Sequence, residues 1–192
     1  GHVLSQRGHD REASEVMPRV RELDPLQPMH HAISAQVAFQ AHDAASALEH
    51  ARRAVALNSS FWIAHAQEAQ ALHLLGQSEL ALEALARASQ FSGNQPLLIG
   101  YRGYILATLK RFDEARATLE TLTTISAARY VPATLFASVY AGLGDTAKVF
   151  EWLEQAFAAR DVNLIFLPVD PRWEPYRADP RFASLLARAG FR

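Results

Sequence analysis

The side chains best suited to proton transfer or metal binding here are eight histidines. All of them (His2, His9, His30, His31, His42, His50, His65 and His73) lie in the first part of the chain. Metal ligation asks for two histidines one helical turn apart, or a tight cluster with carboxylate support. His65 and His73 share one expected helix but have no ligand at the position midway between them, and His42 and His50 are spaced in the same way. They read as solvated or interhelical side chains, and no metal or cofactor is expected. Asp113 and Glu114 could form an acid–base pair, but Lys110 and Arg111 precede them, so they read as a solvated helix start. The chain has no Gly-x-x-x-x-Gly-Lys, Gly-x-Gly-x-x-Gly or Gly-x-Ser-x-Gly pattern, so phosphate cradles and a nucleophile elbow lack their starting residues. It has no cysteine, and hence no disulfide and no thiol chemistry. The expectation is a protein without catalytic residues.

Composition narrows the partners. The chain has 192 residues with 19 basic and 20 acidic side chains, a net charge of -1, and 49% hydrophobic residues. That balance offers no general attraction to nucleic acid or anionic lipid. The basic pairs Arg52-Arg53 and Lys110-Arg111 stand apart with no aromatic-laced basic stripe between them, so direct nucleic-acid binding is not expected. The longest apolar run, Leu164–Val169, is far below the roughly 20 residues of a membrane span. The cytoplasm is the expected compartment, with the periplasm second. The chain opens Gly-His without an initiator Met and is read as a piece of a longer protein.

A repeat positions everything else. Gly8, His42, Gly76, Lys110 and Gly144 stand 34 residues apart. Five residues further on are Ala13, Ala47, Ala81, Ala115 and Val149, and seven beyond those Val20, Ala54, Ala88, Leu122 and Ala156. Each unit holds two helical stretches, such as Trp62–Leu75 and Ser78–Phe91, with a turn residue between them. Ala81 and Ala88 lie two turns apart on one helix face, where only a small side chain lets helices close, and Leu85 and Phe91 complete that apolar stripe. One helical pair cannot bury its face alone, so neighbours must stack.

These residues resemble the tetratricopeptide repeat (TPR) family. Residues 62–95 match its pattern through Ala69, Gly76, Ala81, Ala88 and Gly93, and residues 130–163 through Ala137, Tyr140, Gly144 and Ala156. Residues 28–61 keep Ala35, Ala47 and Ala54 with His42 at the turn; residues 96–129 keep Gly103 and Ala115 with Lys110 at the turn. Residues 1–27 are a partial repeat retaining Gly8, Ala13 and Asp24-Pro25. The resemblance implies an all-α fold, a right-handed TPR superhelix or α-solenoid of helix-turn-helix repeats, with the last repeat helix ending near residue 160.

The period breaks after Asp161, and residues 162–192 are expected to form a C-terminal cap. Asn163–Val169 is an apolar stretch of β-favouring residues, ended by Pro168, that cannot continue the preceding helix. Two related units follow, Asp170-Pro171-Arg172-Trp173 and Asp179-Pro180-Arg181-Phe182. Asp before Pro starts helices, because the carboxylate accepts free N–H groups and Pro fits the first turn. A short turn over Pro171–Tyr176 and a final helix over Pro180–Ala189 are predicted, the latter burying Phe182, Leu185, Leu186 and Ala189. With Trp152–Ala156 before them, these motifs resemble the C-terminal ends of bacterial multidomain TPR regulators, whose arrays follow winged-helix, cyclase or kinase domains.

In the TPR family the first helices of successive repeats line a concave groove. The resemblance places Met29, Ala32, Gln36, Phe39 and Gln40 there, then Ile63, Ala66, Gln70, His73 and Leu74. It adds Leu97, Gly100, Tyr104, Ala107 and Thr108, then Val131, Thr134, Ser138, Ala141 and Gly142. Family members that grip carboxylate tails carry Lys, Asn and Arg at these positions, which this chain lacks. A helix or extended peptide with Leu or aromatic anchors fits better. The expected function is therefore a non-enzymatic scaffold binding a protein or peptide partner, the regulatory part of a larger bacterial protein. Self-association as a homodimer is the alternative and a small-ligand sensor the third reading. Leu164–Val169 could itself occupy the groove.

Overall fold

The computed structural model describes residues 2–93 and 95–191, with only the backbone described for His2 and Asp10. The chain forms two compact units, residues 1–93 and 94–192. In unit 1, α1 (His2–Gln6) and α2 (Asp10–Leu23) precede the pairs α3 (Pro28–Gln40) with α4 (Ala44–Leu57), and α5 (Trp62–Leu74) with α6 (Ser78–Ser92). Unit 2 pairs α7 (Pro96–Thr108) with α8 (Phe112–Ser126), and α9 (Ala133–Leu143) with α10 (Thr146–Ala158). Two 3-10 helices (Val162–Phe166 and Pro171–Tyr176) and α11 (Pro180–Arg188) follow. The described residues contain no strand.

The turns explain the period. Gly8, Gly76 and Gly144 adopt φ of 75°, 77° and 75°, and His42 and Lys110, at the same phase, adopt 59° and 62°. Each turn is a Schellman motif. At Gly76 the N–H donates to the His73 carbonyl at 2.9 Å and the next N–H, of Gln77, to the Leu72 carbonyl at 2.8 Å. Lys110 and Arg111 repeat this onto Ala107 and Leu106, both at 2.9 Å. The left-handed residue is thus a requirement of the motif, met by glycine three times and by a strained side chain twice.

Ala13, Ala47, Ala81, Ala115 and Val149 are each 0–1% exposed, as are Ala54, Ala88, Leu122 and Ala156. In that second set only Val20 is partly exposed. Within unit 1, Phe39 packs with Ala38, Ala47 and Ala71, and Ala32 with Ala54 and Ala64. Small residues at these seams let helices approach closely enough for Leu72 and Leu85 to be almost wholly enclosed. The expected place of Phe91 on the buried stripe is corrected: it is 48% exposed, and its ring stacks on His65 at 5.9 Å. It lies at the last turn of α6, with one ring face against His65 of α5 and about half of its surface open to solvent.

The β-favouring stretch after Asp161 forms no strand. It folds as a 3-10 turn whose N-cap, Asp161, accepts the Asn163 N–H at 2.9 Å. Burial at every third residue, the period of a 3-10 helix, places Leu164 and Leu167, with Trp173, in one core with Val149, Leu153, Tyr176, Phe182 and Leu185. The two Asp-Pro units start helices as predicted, Asp170 accepting from Arg172 N–H and Asp179 from Arg181 N–H, each at 2.9 Å. α11 ends at Arg188, with Gly190 in the left-handed region at φ 86°.

Candidate functional site

The first-helix positions of the two units meet different surroundings. In unit 1, Met29 is 39% exposed, and Gln36, Ile63, Gln70, His73 and Leu74 are half-buried. Gln70 donates to the Gln67 side chain at 3.2 Å, and His73 bonds the Ser78 hydroxyl at 2.9 Å. Phe39 and Gln40, expected on this face, are buried instead. Phe39 sits in the α3–α4–α5 packing, and Gln40 accepts the hydroxyl of Ser5 from α1.

In unit 2 the chain's own tail covers much of the corresponding face. Thr134 is buried: its N–H and hydroxyl donate to Asp161 Oδ2 at 3.0 and 2.8 Å, while Asn163 donates to its hydroxyl at 3.2 Å. Ser138 and Val131 are also buried. Leu97, Thr134 and Ser138 line a cavity of about 30 Å³, room for one water, together with Tyr101, Phe166 and Arg172. Tyr104 is half-buried, and Thr108 is exposed with its hydroxyl donating to the Ile105 carbonyl. Of the positions expected to await a partner here, Leu97, Tyr104, Thr134 and Ser138 therefore face Asn163–Trp173.

Arg172 and Asp170 bring to this face a charge pair that the repeat positions themselves do not carry. Burial works against the Arg172 cation, but Asp170 and the two tyrosines more than offset it and hold its pKa above the ordinary arginine value. Burial raises the Tyr101 and Tyr104 phenols, so both stay neutral beside the guanidinium. The signal for this pair was in the sequence, in the doubled Asp-Pro-Arg-aromatic motif. Its reading as a helix start alone left the arginines without a role.

The histidines divide by repeat phase. His31 and His65 stand one repeat apart, and each donates from Nε2 to a carbonyl of the preceding loop, Pro25 at 3.1 Å and Ser59 at 2.9 Å. His65 Nδ1 lies 3.7 Å from Glu68, a carboxylate that Arg52 of α4 and Arg87 of α6 approach at 3.5 and 3.3 Å. Glu68 thus ties three helices together. Among the described residues no group of three His, Asp or Glu side chains is placed to hold a metal ion. No described helix is long and apolar enough to cross a membrane. Asp113 and Glu114 lie in the first turn of α8, where Glu114 accepts from Arg111 at 2.6 Å and Asp113 from Arg116 at 3.2 Å.

This architecture is the TPR fold, one that generally mediates protein–protein interaction. Residues 102–129 match the tetratricopeptide repeat family. The chain is similar to the crystal structure of a thermophilic TPR protein of Thermus thermophilus, with a TM-score of 0.66 over 94% of this chain and 92% of that one, at 21% identity. No curated protein matches the chain.

Proposed function

We propose that the chain is a non-enzymatic scaffold that holds a peptide or helix of a protein partner on the first-helix face of unit 1. The observation that carries this reading is the mixture at that face. Met29, Gln36, Ile63, Gln70 and Leu74 are all at least partly exposed, apolar surface interleaved with amides. Such a surface suits Leu or aromatic anchors with backbone groups satisfied by glutamine. The tail's resemblance to bacterial multidomain regulators supports a regulatory setting within a larger protein. Affinity capture comparing the chain with a Met29→Glu/Gln70→Arg variant tests the proposal. A partner retained by the parent and lost by a variant of unchanged helicity is expected. Equal capture by both overturns the assignment to this face.

Leu23 and Leu26, 73% and 70% exposed beside the α2 end, favour a second reading as a self-association surface. Light scattering over a concentration series separates the two, because a strict monomer rules out the dimer.

A further inference from the structure

Tyr101 and Tyr104 are three residues apart on α7, so their rings leave neighbouring points of one helix face. The guanidinium carbon of Arg172 lies 4.5 Å from the Tyr101 ring centre and 5.9 Å from that of Tyr104. Asp170 accepts from Arg172 Nε at 2.9 and 3.1 Å with its two oxygens, and from the terminal nitrogen Nη2 as well. Only 14% of the arginine side chain and 6% of the aspartate side chain are exposed. A charge this well covered persists only where charge, hydrogen bonds and ring faces all meet it.

The arrangement occurs twice. Arg181 lies 3.9 Å from the centre of the Phe150 ring on α10 and returns its Nε and Nη2 to Asp179 at 3.0 and 2.7 Å. In both cases the Asp-Pro-Arg unit is self-contained: the carboxylate caps the turn and accepts from the guanidinium. What the repeat contributes is an aromatic face. The unit would therefore present itself in the same way from another chain.

We infer that the Tyr101–Tyr104 face of unit 2 is a recognition site for peptide segments of the Asp-Pro-Arg-aromatic type, filled in cis by Asp170–Trp173. This rests on the reading of the first-helix face as the binding face and names the chemistry that its second half reads. A partner entering there must bring its own arginine and displace the tail. Lysine does not substitute, because an ammonium has no plane to lay on the ring and no fork for the carboxylate.

The test uses a fluorescent peptide spanning Pro168–Arg177, added to the full chain and to its Arg172→Gln variant, which withdraws the guanidinium from the Tyr101 ring face. The variant is expected to bind the peptide about tenfold or more tightly than the parent. Adding Tyr101→Leu should abolish that gain, and a peptide carrying Arg172→Lys should lose it. Binding that does not distinguish parent from variant, that survives Tyr101→Leu, or that is absent from both overturns the inference. Should Arg172→Gln fail to fold, Arg172→Lys in the full chain vacates the ring face while keeping the charge, and the same outcomes decide. No partner is needed for this readout, so its failure is distinct from a failure of capture through unit 1.

Discussion

Thr118 fills the space that a side chain on Gly103 would need. A Cβ built on Gly103 would stand 2.1 Å from Thr118 Oγ1 and 2.7 Å from Val139 Cγ2. The same phases one repeat earlier carry Ala69 and Ala84, both fully buried. The two seams hold similar volume, shifted from one helix to the other.

Gly103→Ala alone should therefore overpack the α7–α8 seam and cost roughly 1–3 kcal/mol. Adding Thr118→Ala, which clears the closer of the two contacts, should recover part of that loss, with Val139 Cγ2 at 2.7 Å accounting for the remainder. Thr118 donates only to the Ala115 carbonyl of its own helix, at 2.6 Å, so little else depends on it. Urea unfolding of the two single variants and the double variant checks this. Additive losses would mean that the two sites do not share one space.

Lys110 and His42 hold backbone conformations that their side chains disfavour. Glycine at either position keeps the Schellman hydrogen bonds and removes the left-handed penalty, at some cost in unfolded-state entropy. Lys110→Gly should raise stability by roughly 0.5–1 kcal/mol, and Gly76→Ala should lower it by about as much. Thermal unfolding of both variants measures the pair. A loss on Lys110→Gly would show that the lysine side chain contributes more than its backbone costs.

The repeat was legible because its physics is local. A left-handed turn residue and two small seam residues recur wherever helices must reverse and close, so Gly76, Ala81 and Ala88 announce themselves in one dimension. Phe91 did not, since its helical phase is right, yet at the end of α6 it meets the His65 ring and stays 48% exposed. The tail was half legible. Asp170-Pro171 and Asp179-Pro180 declared their helix starts, whereas the β-favouring stretch Asn163–Val169 gave no sign of the 3-10 helix at Val162–Phe166, because burial of Leu164 and the Asp161 cap override intrinsic preference. Occupation of the groove by Leu164–Val169 was open from the sequence, but the charged part of it, Arg172 with Asp170, was the least legible feature. It depends on Arg172 meeting Tyr101, 71 positions away, a contact that no periodicity encodes.

Acid should destabilise unit 1 in a window set by two histidines. Burial lowers the pKa of His31, and Arg21, Arg53 and His30 lower it further, against the Pro25 hydrogen bond that favours the charged ring. His50, its ring 6.5 Å away on α4, is lowered by burial, Arg21 and His31, with Glu49 and Asp43 opposing. With folded-state values below the ordinary 6.5, the folded chain binds fewer protons than the unfolded one, so stability is complete above that pH. It then falls as pH drops through 6.5 toward the folded values. Asp43, held below 3.8 by Ser46, titrates in a separate and lower window. His31→Gln can still donate to the Pro25 carbonyl but does not titrate, so it should flatten the slope by up to one proton, about 1.4 kcal/mol per pH unit. An unchanged slope in both His31→Gln and His50→Gln would assign the acid sensitivity elsewhere.

Removing Pro180–Arg192 should uncover the last helical pair. Phe182 and Leu185 are each 1% exposed, in one core with Phe150, Leu153 and Tyr176. Their burial is worth roughly 1.5–3 kcal/mol apiece, so truncation should lower the unfolding midpoint and promote concentration-dependent association through the apolar face left behind. The exposed pair of Arg188 with Glu154, at 2.6 Å, contributes far less. The point variants separate the two contributions: Phe182→Ala should cost roughly 3–5 kcal/mol, and Glu154→Ala should stay within about 0.5 kcal/mol. Denaturant titration of both, with light scattering of the truncated chain, provides the measurement. If Phe182→Ala proved as mild as Glu154→Ala, α11 would be an appendage, and the closure of unit 2 would rest on Leu167 and Trp173 alone.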